Sequence, residues 1–320
     1  MVEQRYRWDF IGLSTDTKPT PETSPKVVDG STFYASDESK LYVWCKDDWY
    51  EKKPIGGGGG TLDNYGTVTY LDNGVEKTVT MANEDDFYEL CIGVGATPIH
   101  INGINLIKND ITGVIVTDGV QYLPNNFCYG CSNLNTVTLP DTIHYIGGAV
   151  FGFADITSPL NLVNVKSIGT SFFASNINFN HPLNLPNIEY IDTSFLNGCS
   201  SFNSSITLND GLRVIGSNFL FGCNNFTQSL TIPAGLENLG AGNNPGTGFM
   251  RQCNMFTGPL VCNGPVSAVI PTDNNTLSTT SSSAAIYTTG VTLTGPYAQA
   301  WKDALPDRTS SPYRKLIVGS

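Results

Sequence analysis

Charged residues, histidines and long apolar runs are all scarce in this chain of 320 residues. Charged residues make up 14%, below the usual quarter, and the formal charge of −11 leaves no basic stripe. Phosphate binding needs such a stripe, so we expect no nucleic-acid partner. No stretch approaches the roughly 18 apolar residues of a membrane span, so we expect no membrane insertion. The start, MVEQRYRWDFIGL, holds no signal-peptide run and neither end carries a lipidation motif, so we expect a soluble protein made in the cytoplasm.

Motifs for metal binding or catalysis are equally scarce. The three histidines fall at unrelated positions: His100, His144 and His181. Cys128 and Cys131 form a CxxC, but no second CxxC and no histidine pair lies at zinc spacing, so we expect a structural role. The acidic run Glu84-Asp85-Asp86 lacks the EF-hand pattern and suits a helix start better than calcium. No nucleophile elbow, Walker loop or triad appears, so we expect no cofactor, no metal and no enzymatic activity.

An octet with Phe, Gly and Cys is present three times, as FCYGCSNL (127–134), FLNGCSSF (195–202) and FLFGCNNF (219–226). A catalytic motif is needed once, whereas a motif used many times belongs to the architecture. The apolar residue four positions before the octet recurs every 22 to 24 residues: Leu123, Ile146, Ile168, Ile191, Ile215 and Leu239. The sixth unit carries an insertion, AGNNPGTG, and recovers its register at Phe249 and Cys253.

A second ladder of alternating apolar pairs has the same period: Val114/Val116, Val137/Leu139, Leu160/Leu162, Leu183/Leu185, Ile206/Leu208 and Leu230/Ile232. Alternation predicts a short strand with one buried face. Each unit is therefore predicted to contain one strand, a turn, and a short helical or 3₁₀ turn carrying the Phe and Cys. Since one unit cannot bury its apolar face alone, we expect a mainly β solenoid of about six units with short helices. Phe would fill the space between coils, Gly would allow a left-handed residue, and Cys would be a small buried hydrophobe.

The pattern Ile-x3-Phe-x3-Cys-x2-Leu/Phe, followed by Leu-x-Leu/Ile-Pro, resembles the BspA-like leucine-rich repeat. GLRVIGSNFLFGCNNFTQSLTIPAG (211–235) matches it best, and the resemblance covers about 111–262. Units two and three depart from the pattern, with Ala154 and Asn176 at the Cys position. The resemblance implies a leucine-rich-repeat solenoid, and the family occurs in surface adhesins and in virion proteins.

Residues 1–55 predict a separate β module. RWDFIGLSTDTKPTPETSPKVVDG is expected to be extended or loop, and STFYASDESKLYVWCKDDWYEK to form a β-hairpin unit with turns at ASDES and CKDD. The aromatic candidates for attachment are Tyr34, Tyr42, Trp44, Trp49 and Tyr50, although a small aromatic core is the simpler interpretation for most of them. The stretch resembles a module near the N-termini of bacteriophage structural proteins, and this resemblance, which implies attachment to a capsid or tail, is carried by Gly30, Ser31, Thr32, Phe33, Tyr34, Asp37, Tyr42, Trp49, Tyr50 and Glu51.

The segments beside the array predict a tether and two caps. Five glycines without the context of a phosphate loop predict a flexible hinge: Gly56, Gly57, Gly58, Gly59 and Gly60. Residues 61–110 are expected to cap the array with a hairpin turning at Asn73-Gly74, a short helix capped by Asn83, and a hairpin or first coil at 98–107. Residues 263–320 predict a polar linker and a C-terminal cap, with a helix at 296–305 and a strand at 314–318. The helical face is expected to contain Tyr297, Ala300, Trp301 and Leu305.

The outward strand positions of the array predict a neutral row of amides and hydroxyls: Thr138, Asn161, Asn184, Thr207 and Thr231. Such a row suits hydrogen bonding to glycans or to protein main chain and should be insensitive to salt, although it could also be a merely solvated face.

These features lead us to expect a virion protein of a bacteriophage, either a head fibre, a decoration protein or a tail fibre. It would be made in the host cytoplasm and exposed on the virion. Its N-terminus would bind capsid or tail proteins, and its repeats would bind a bacterial surface glycan or protein. A homo-oligomer is compatible with this reading, with trimers favoured by analogy only. The alternatives are a bacterial cell-surface adhesin and a glycan-degrading enzyme, which would need a carboxylate pair about 5–9.5 Å apart in a cleft.

Overall fold

The computed structural model describes residues 9–12, 15–24, 27, 31–35, 40–45, 48–51, 62–241, 249–250, 252–264, 290–304 and 316–319. The chain divides into two compact units, residues 1–59 and residues 60–320. The predicted hinge, Gly56–Gly60, lies outside the described residues, as does most of the predicted polar linker after residue 264.

The first unit contains a four-stranded sheet in the order β1-β2-β3-β4. Its strands are β1 Asp9–Gly12, β2 Thr32–Ala35, β3 Lys40–Cys45 and β4 Asp48–Glu51. The two antiparallel pairings of β2, β3 and β4 confirm the hairpin prediction, and both turns lie outside the described residues. The segment predicted to be extended or loop is extended at β1, which pairs parallel with β2 and sets Phe10 opposite Phe33. This pairing brings the Phe10 ring against Trp49, with centroids 6.2 Å apart, so the strand completes an aromatic face.

The second unit begins with the elements that cover the first coil. They are β5 Gly66–Asp72, β6 Val75–Thr80, α1 Glu84–Glu89, β7 Pro98–Ile101, β8 Ile104–Ile107 and a 3₁₀ turn at Lys108–Asp110. Asn73 and Gly74 have φ values of 51° and 79°, as the predicted Asn-Gly turn requires. β7 and β8 form the second predicted hairpin. β5 also pairs antiparallel with the first strand of the array, so the cap extends one of its sheets.

The acidic run is a capped helix start, as predicted. The Asn83 side chain accepts a hydrogen bond from Asp86 N at 3.0 Å. The buried Asp86 carboxylate in turn accepts from Ala82 N at 2.8 Å and from Asn102 N at 2.7 Å. These bonds use both carboxylate oxygens within the fold, so the run serves structure.

Two columns of short strands form the solenoid. The first column contains β9 Ile111–Val116, β11 Thr136–Thr138, β14 Leu183–Leu185, β16 Ile206–Leu208, β18 Leu230–Ile232 and β20 Leu260–Cys262. The second column contains β10 Tyr122–Leu123, β12 Tyr145–Ile146, β13 Ser167–Ile168, β15 Tyr190–Ile191, β17 Val214–Gly216 and β19 Asn238–Ala241. The second column is one parallel sheet of six strands.

Each unit differs from the prediction of one strand and one helical turn. The recurring Leu or Ile before the octet is itself on a strand, and the described residues between 111 and 262 form turns without a helix. The residue before each repeat Phe, or before Val150 in unit two, is left-handed, with φ between 56° and 65°: Asn126, Ala149, Ser171, Ser194 and Asn218. The octet glycines are left-handed too, with φ of 72° to 78°: Gly130, Gly198 and Gly222. Two such residues within five positions break any helical path, which explains the turns.

The predicted strand at Leu160/Leu162 does not form. The N–H of Val137 donates to the Ser158 Oγ at 3.0 Å instead of to a strand carbonyl, and Pro159 has no N–H to donate. β11 and β14 therefore do not pair. The first column is also divided between β16 and β18, so its strands belong to three sheets.

The C-terminal part adds β21 Val291–Thr294, α2 Ala298–Ala304 and β22 Leu316–Val318. β21 pairs parallel with β20, and β22 parallel with β21, so the solenoid has about seven turns. The buried face of α2 contains Ala298 and Trp301. The predicted helical face was correct for Trp301 and wrong for Tyr297, which is 39% exposed, and for Ala300, which is exposed too; Leu305 lies outside the described residues. Trp301 is fully buried, and its Nε1 donates to the Gly264 carbonyl at 3.1 Å, which satisfies the buried N–H. None of the described helices is long and apolar enough to cross a membrane.

Two stacks of phenylalanine rings form the core of the later coils. One contains Phe172, Phe195, Phe219 and Phe249, with centroids 5.2–5.8 Å apart. The other contains Phe179, Phe202, Phe226 and Phe256, with centroids 5.7–6.0 Å apart. Every ring is almost fully buried, which confirms that Phe fills the space between coils. Phe249 joins its stack, so the register does recover after the insertion.

The buried cysteines tie one coil to the previous one. The Sγ of Cys199, Cys223 and Cys253 donates to the carbonyls of Phe173, Leu196 and Leu220 at 3.1, 3.2 and 2.8 Å. At the same position the Asn176 amide donates to the Phe151 carbonyl at 2.7 Å and accepts from Ile156 N at 3.3 Å. Asn176 therefore bonds to the preceding coil as the cysteines do. The Asn in place of Cys in unit three leaves the stacking of the coils intact.

Candidate binding faces

The predicted row of outward residues lies on the first column of strands. Four of its members, which we call the amide row, are exposed: Thr138, Asn184, Thr207 and Thr231. Asn184 lies directly opposite Thr207 in the β14–β16 register. Within the described part of the chain these four side chains make no hydrogen bond, so their polar groups face solvent. The geometry thus gives a neutral row, and its binding role stays a prediction.

Asn161 does not share this exposure. It is half-buried, and its amide donates to the Leu139 carbonyl at 3.3 Å and to the Asp141 carboxylate at 2.6 Å. Because its unit lacks the strand, the side chain secures a turn instead of facing outward. The prediction was wrong for Asn161, and the row is interrupted between Thr138 and Asn184.

Other asparagines of the array also act as links between coils. Each of these amides donates to a carbonyl of the preceding coil, at 2.6–3.2 Å: Asn133 to Asn109, Asn164 to Asp141, Asn187 to Val163, and Asn209 to Leu185. These side-chain amides satisfy backbone carbonyls that a tight turn leaves without a backbone N–H partner. These asparagines therefore serve stacking, whereas Asn184 makes no such link.

A second exposed face lies on the second column and was missed by the sequence reasoning. Its residues occupy the same position in successive coils. Each backbone N–H donates to the carbonyl at that position in the preceding coil, at 2.7–3.0 Å: His144, Lys166, Glu189, Arg213 and Glu237. We call the last four, all exposed, the charged row. The recurring Tyr-Ile pairs at 145–146 and 190–191 could have indicated the strands of the second column. Tyr145, which lies beside the row, is 38% exposed.

The charges of this row alternate in sign along the stack. Arg213 binds Glu237 through two hydrogen bonds, of 2.8 and 2.9 Å. The hydrogen bond and the charge of Glu237 raise the pKa of Arg213, and Glu189 adds to the effect. Both partners are more than half exposed, so the pair contributes less than about 1 kcal/mol to folding. The array thus presents one neutral and one charged surface.

The aromatic candidates of the first unit are partly engaged within that unit. Trp49 donates from Nε1 to the Pro19 carbonyl at 2.6 Å, and Lys18 Nζ lies 4.0 Å from the ring centroid of Tyr42. Both aromatic residues are half-buried, which supports the aromatic-core alternative for them. The other three candidates lie on β2, β3 and β4, and their side chains are outside the described part: Tyr34, Trp44 and Tyr50.

Metal-binding geometry is not found among the described residues, where no three His, Cys, Asp or Glu side chains could hold an ion. The ring of His144 contacts the Thr142 carbonyl at 2.6 Å, and that of His181 the Thr157 carbonyl at 2.5 Å. Seven cysteines with described side chains are free thiols.

Comparison with protein families agrees with this geometry. Residues 105–225 and 166–243 match the BspA type leucine-rich repeat region, in six copies. Residues 105–243 are a BspA-type leucine-rich repeat region. No curated protein matches the chain. The match starts in β8 and ends just after β19, so the charged row lies wholly within the region.

Proposed function

We propose that this chain is a non-enzymatic virion protein of a bacteriophage that displays its BspA-type region for adhesion to the bacterial surface. The observation that carries the adhesive part is the amide row, because its polar groups are exposed and unused by the fold. The residues of the amide row lie on stacked strands, which are about 4.8 Å apart, so that neighbouring members are separated by this distance or a multiple of it. One ligand could therefore contact several of them at once.

A rigid surface favours such binding. The Phe stacks and the inter-coil bonds of Cys and Asn hold each coil against the next, so little order has to be gained on binding. Amides and hydroxyls carry no charge, and adhesion through them should change little with salt. A bacterial surface glycan or an exposed protein main chain offers the matching donors and acceptors.

The virion part of the proposal rests on residues 1–59. They form a compact unit of their own, and its strands β2–β4 contain seven of the residues on which the resemblance rests: Thr32, Phe33, Tyr34, Tyr42, Trp49, Tyr50 and Glu51. Attachment to a capsid or tail protein through this unit would leave the array free for the host. The protein would be made in the host cytoplasm and assembled as a head fibre, decoration protein or tail fibre, alone or as an oligomer.

A cell-surface adhesin is the second candidate, and the BspA-type region favours it equally. Mass spectrometry of virions purified through a density gradient separates the two. Stoichiometric peptides from this chain support the virion protein, and copy number separates decoration from a tail fibre. If the chain is missing from virions and found on cell envelopes instead, the adhesin is the correct reading.

The adhesive surface is tested with labelled full-length protein and cells of the producing host. Thr207→Arg places a bulky charge in the amide row and should reduce cell binding at least severalfold. Thr170→Arg, at an exposed position away from that row, is the matched control. Wild-type binding should be similar at low and high salt. Equal losses in both variants would show that the amide row is not the binding surface.

A further inference from the structure

The tripeptide Thr-Val-Thr occurs three times in the chain, at 67–69, 78–80 and 136–138. Two copies lie on the cap strands β5 and β6, and the third is β11 of the first column. The fold brings the three copies together, because these strands and β9 form one sheet in the order β11-β9-β5-β6. The first two copies lie outside the matched repeat region, so the repeat does not account for them.

Strand alternation gives this sheet a valine side and a threonine side. The valines belong to the core and are at most 8% exposed: Val68, Val79, Val114 and Val137. On the other side the pairing register places the outer residues of neighbouring strands next to one another. We call this outer surface the threonine face, and its members are Thr67, Thr69, Thr78, Thr80, Thr136 and Thr138, with Gly113 and Ile115 of β9 between them. None of these side chains is charged.

Three hydroxyls of the threonine face are unused by the fold. Thr80, Thr67 and Thr138 lie on one line across the sheet, with Ile115 of β9 between the last two. Thr80 and Thr138 are exposed and Thr67 is half-buried, and their hydroxyls make no hydrogen bond within the described part of the chain. Since adjacent strands are about 4.8 Å apart, the line across four strands is about 14 Å long.

The interior strand β9 keeps the threonine face open. Its Ile115 is 50% exposed and lies on the line of free hydroxyls. Its Gly113 has no side chain, and a Cβ there would lie 2.7 Å from the Thr136 Oγ1 and 3.3 Å from the Thr69 Cβ. The glycine therefore lets threonines of β5 and β11 approach each other over β9. The result is a surface on which hydroxyls alternate with methyl groups.

This chemistry distinguishes between the partners that a sheet surface binds. A peptide added as a strand needs unpaired backbone groups at a sheet edge, whereas β5 and β9 are interior strands of the sheet. A dry contact with another protein would bury the threonine hydroxyls without partners, which is unfavourable. A neutral polysaccharide presents its own hydroxyls beside apolar C–H groups, so it satisfies both kinds of group on this face.

We propose that the threonine face binds a neutral polysaccharide of the bacterial surface. Thr67, Thr80 and Thr138 form hydrogen bonds with sugar hydroxyls, and Ile115 contacts the C–H groups of a sugar ring. The inference rests on the proposed adhesive function and assigns a second surface and a ligand class to it. Thr138 belongs to the amide row as well, so the threonine face continues that row onto the cap.

Envelopes of the producing host, digested with pronase to remove protein, are the probe for this site. Full-length wild type should sediment with them, and periodate oxidation of the sugar diols should abolish the binding. The double variant Thr67→Val, Thr80→Val loses two hydroxyls but keeps β-branched side chains, so the sheet should persist. Its binding should fall roughly tenfold, since each lost hydrogen bond weakens binding by about a factor of five. Thr170→Val, exposed and away from this face, is the control and should bind like the wild type.

Three results would overturn the proposal. One is wild-type binding of the folded double variant to the digested envelopes. Another is binding that pronase removes and periodate leaves unchanged, which would identify a protein partner. The third comes from analytical ultracentrifugation: a wild-type dimer that Thr80→Arg dissociates would assign the face to a second copy of the chain.

Binding to intact cells separates this proposal from the adhesive function on which it rests. If the double variant binds cells like the wild type while Thr207→Arg does not, the amide row is adhesive and the threonine face is not. If the wild type binds neither cells nor envelopes, adhesion itself fails and both proposals fall. A loss of cell binding in the double variant that matches its loss on digested envelopes supports the threonine face.

Discussion

At the scale of single residues, the stacked phenylalanines carry the largest stability effects. Phe219 lies 5.2 Å from Phe195 and 5.3 Å from Phe249, with rings nearly parallel. Phe219→Ala leaves a cavity between coils that backbone stacking prevents from closing. We expect it, and likewise Phe195→Ala, to lower the free energy of unfolding by about 3–5 kcal/mol.

Urea unfolding followed by circular dichroism measures this loss. Thr207→Ala is the control, because the threonine is exposed and makes no hydrogen bond within the described chain. A Phe219→Ala midpoint shifted no more than that of the control would contradict the stacked core.

Gly216 allows two coils to approach closely. A Cβ at this position would lie 2.4 Å from the Thr193 nitrogen, which belongs to the backbone of the preceding coil and cannot rotate away. Gly216→Ala should therefore cost about 1–3 kcal/mol by forcing the coils apart. Gly148→Ala is matched, since its nearest neighbour is the Thr170 carbonyl oxygen at 3.4 Å. It should be neutral or slightly stabilising, and a similar loss in both variants would argue against close approach at Gly216.

Residue roles were only partly readable from the sequence. The buried Phe and Cys could be predicted because the period of the repeat marked them as core. Asn161 and Asn184 have the same residue type and repeat position, yet one secures a turn and the other faces solvent. Their difference depends on whether the local strand forms, which a single pattern of alternating leucines does not show.

At the scale of elements, strand and turn assignments depended on competing local signals. The Asn-Gly hairpin and the capped α1 followed from strong short-range chemistry. The second column was missed because its strands are mostly two or three residues long and leave little room for alternation. The helical turn was predicted wrongly because Asn, Ser and Ala occupy left-handed positions that usually require glycine.

The cap of α1 offers a test at this scale. Asn83→Ala removes the acceptor of the Asp86 N–H and should destabilise the protein by about 1 kcal/mol. The effect reaches the core, because α1 presents Phe87 to Phe127, with ring centroids 4.8 Å apart. Asn184→Ala is the same substitution at an exposed site and should be nearly neutral. Equal unfolding midpoints for the two variants would show that the cap contributes nothing.

For the whole molecule, the sequence period predicted the solenoid because each coil repeats the same contacts with its neighbours. The period did not reveal the missing strand at 160–162, since the Ser158 hydrogen bond that replaces it has no counterpart among the described residues of the other units. The buried Lys108 was also missed, because a single lysine at the edge of the array resembles a solvated surface residue.

The buried thiols give the whole protein a predictable response to alkaline pH. Burial raises the pKa of Cys199 from 9.0 to about 12, and that of Cys223 well above its ordinary range. Above pH 9 the unfolded chain releases these protons while the folded chain retains them, so the folded state binds more protons. Stability should be fully present below about pH 9 and should fall above it, by roughly 1.4 kcal/mol per pH unit for each thiol.

Urea unfolding from neutral pH to about pH 10.5 measures this slope. Cys199→Ala lowers stability at every pH but should flatten the alkaline slope by the share of one thiol, because one fewer proton separates the two states. Thr207→Ala retains all the thiols and should keep the wild-type slope. If Cys199→Ala only shifts the curve downward without flattening it, the Cys199 thiol ionises as readily in the folded coil as in the unfolded chain. Burial in the coil would then not hold the proton on Cys199.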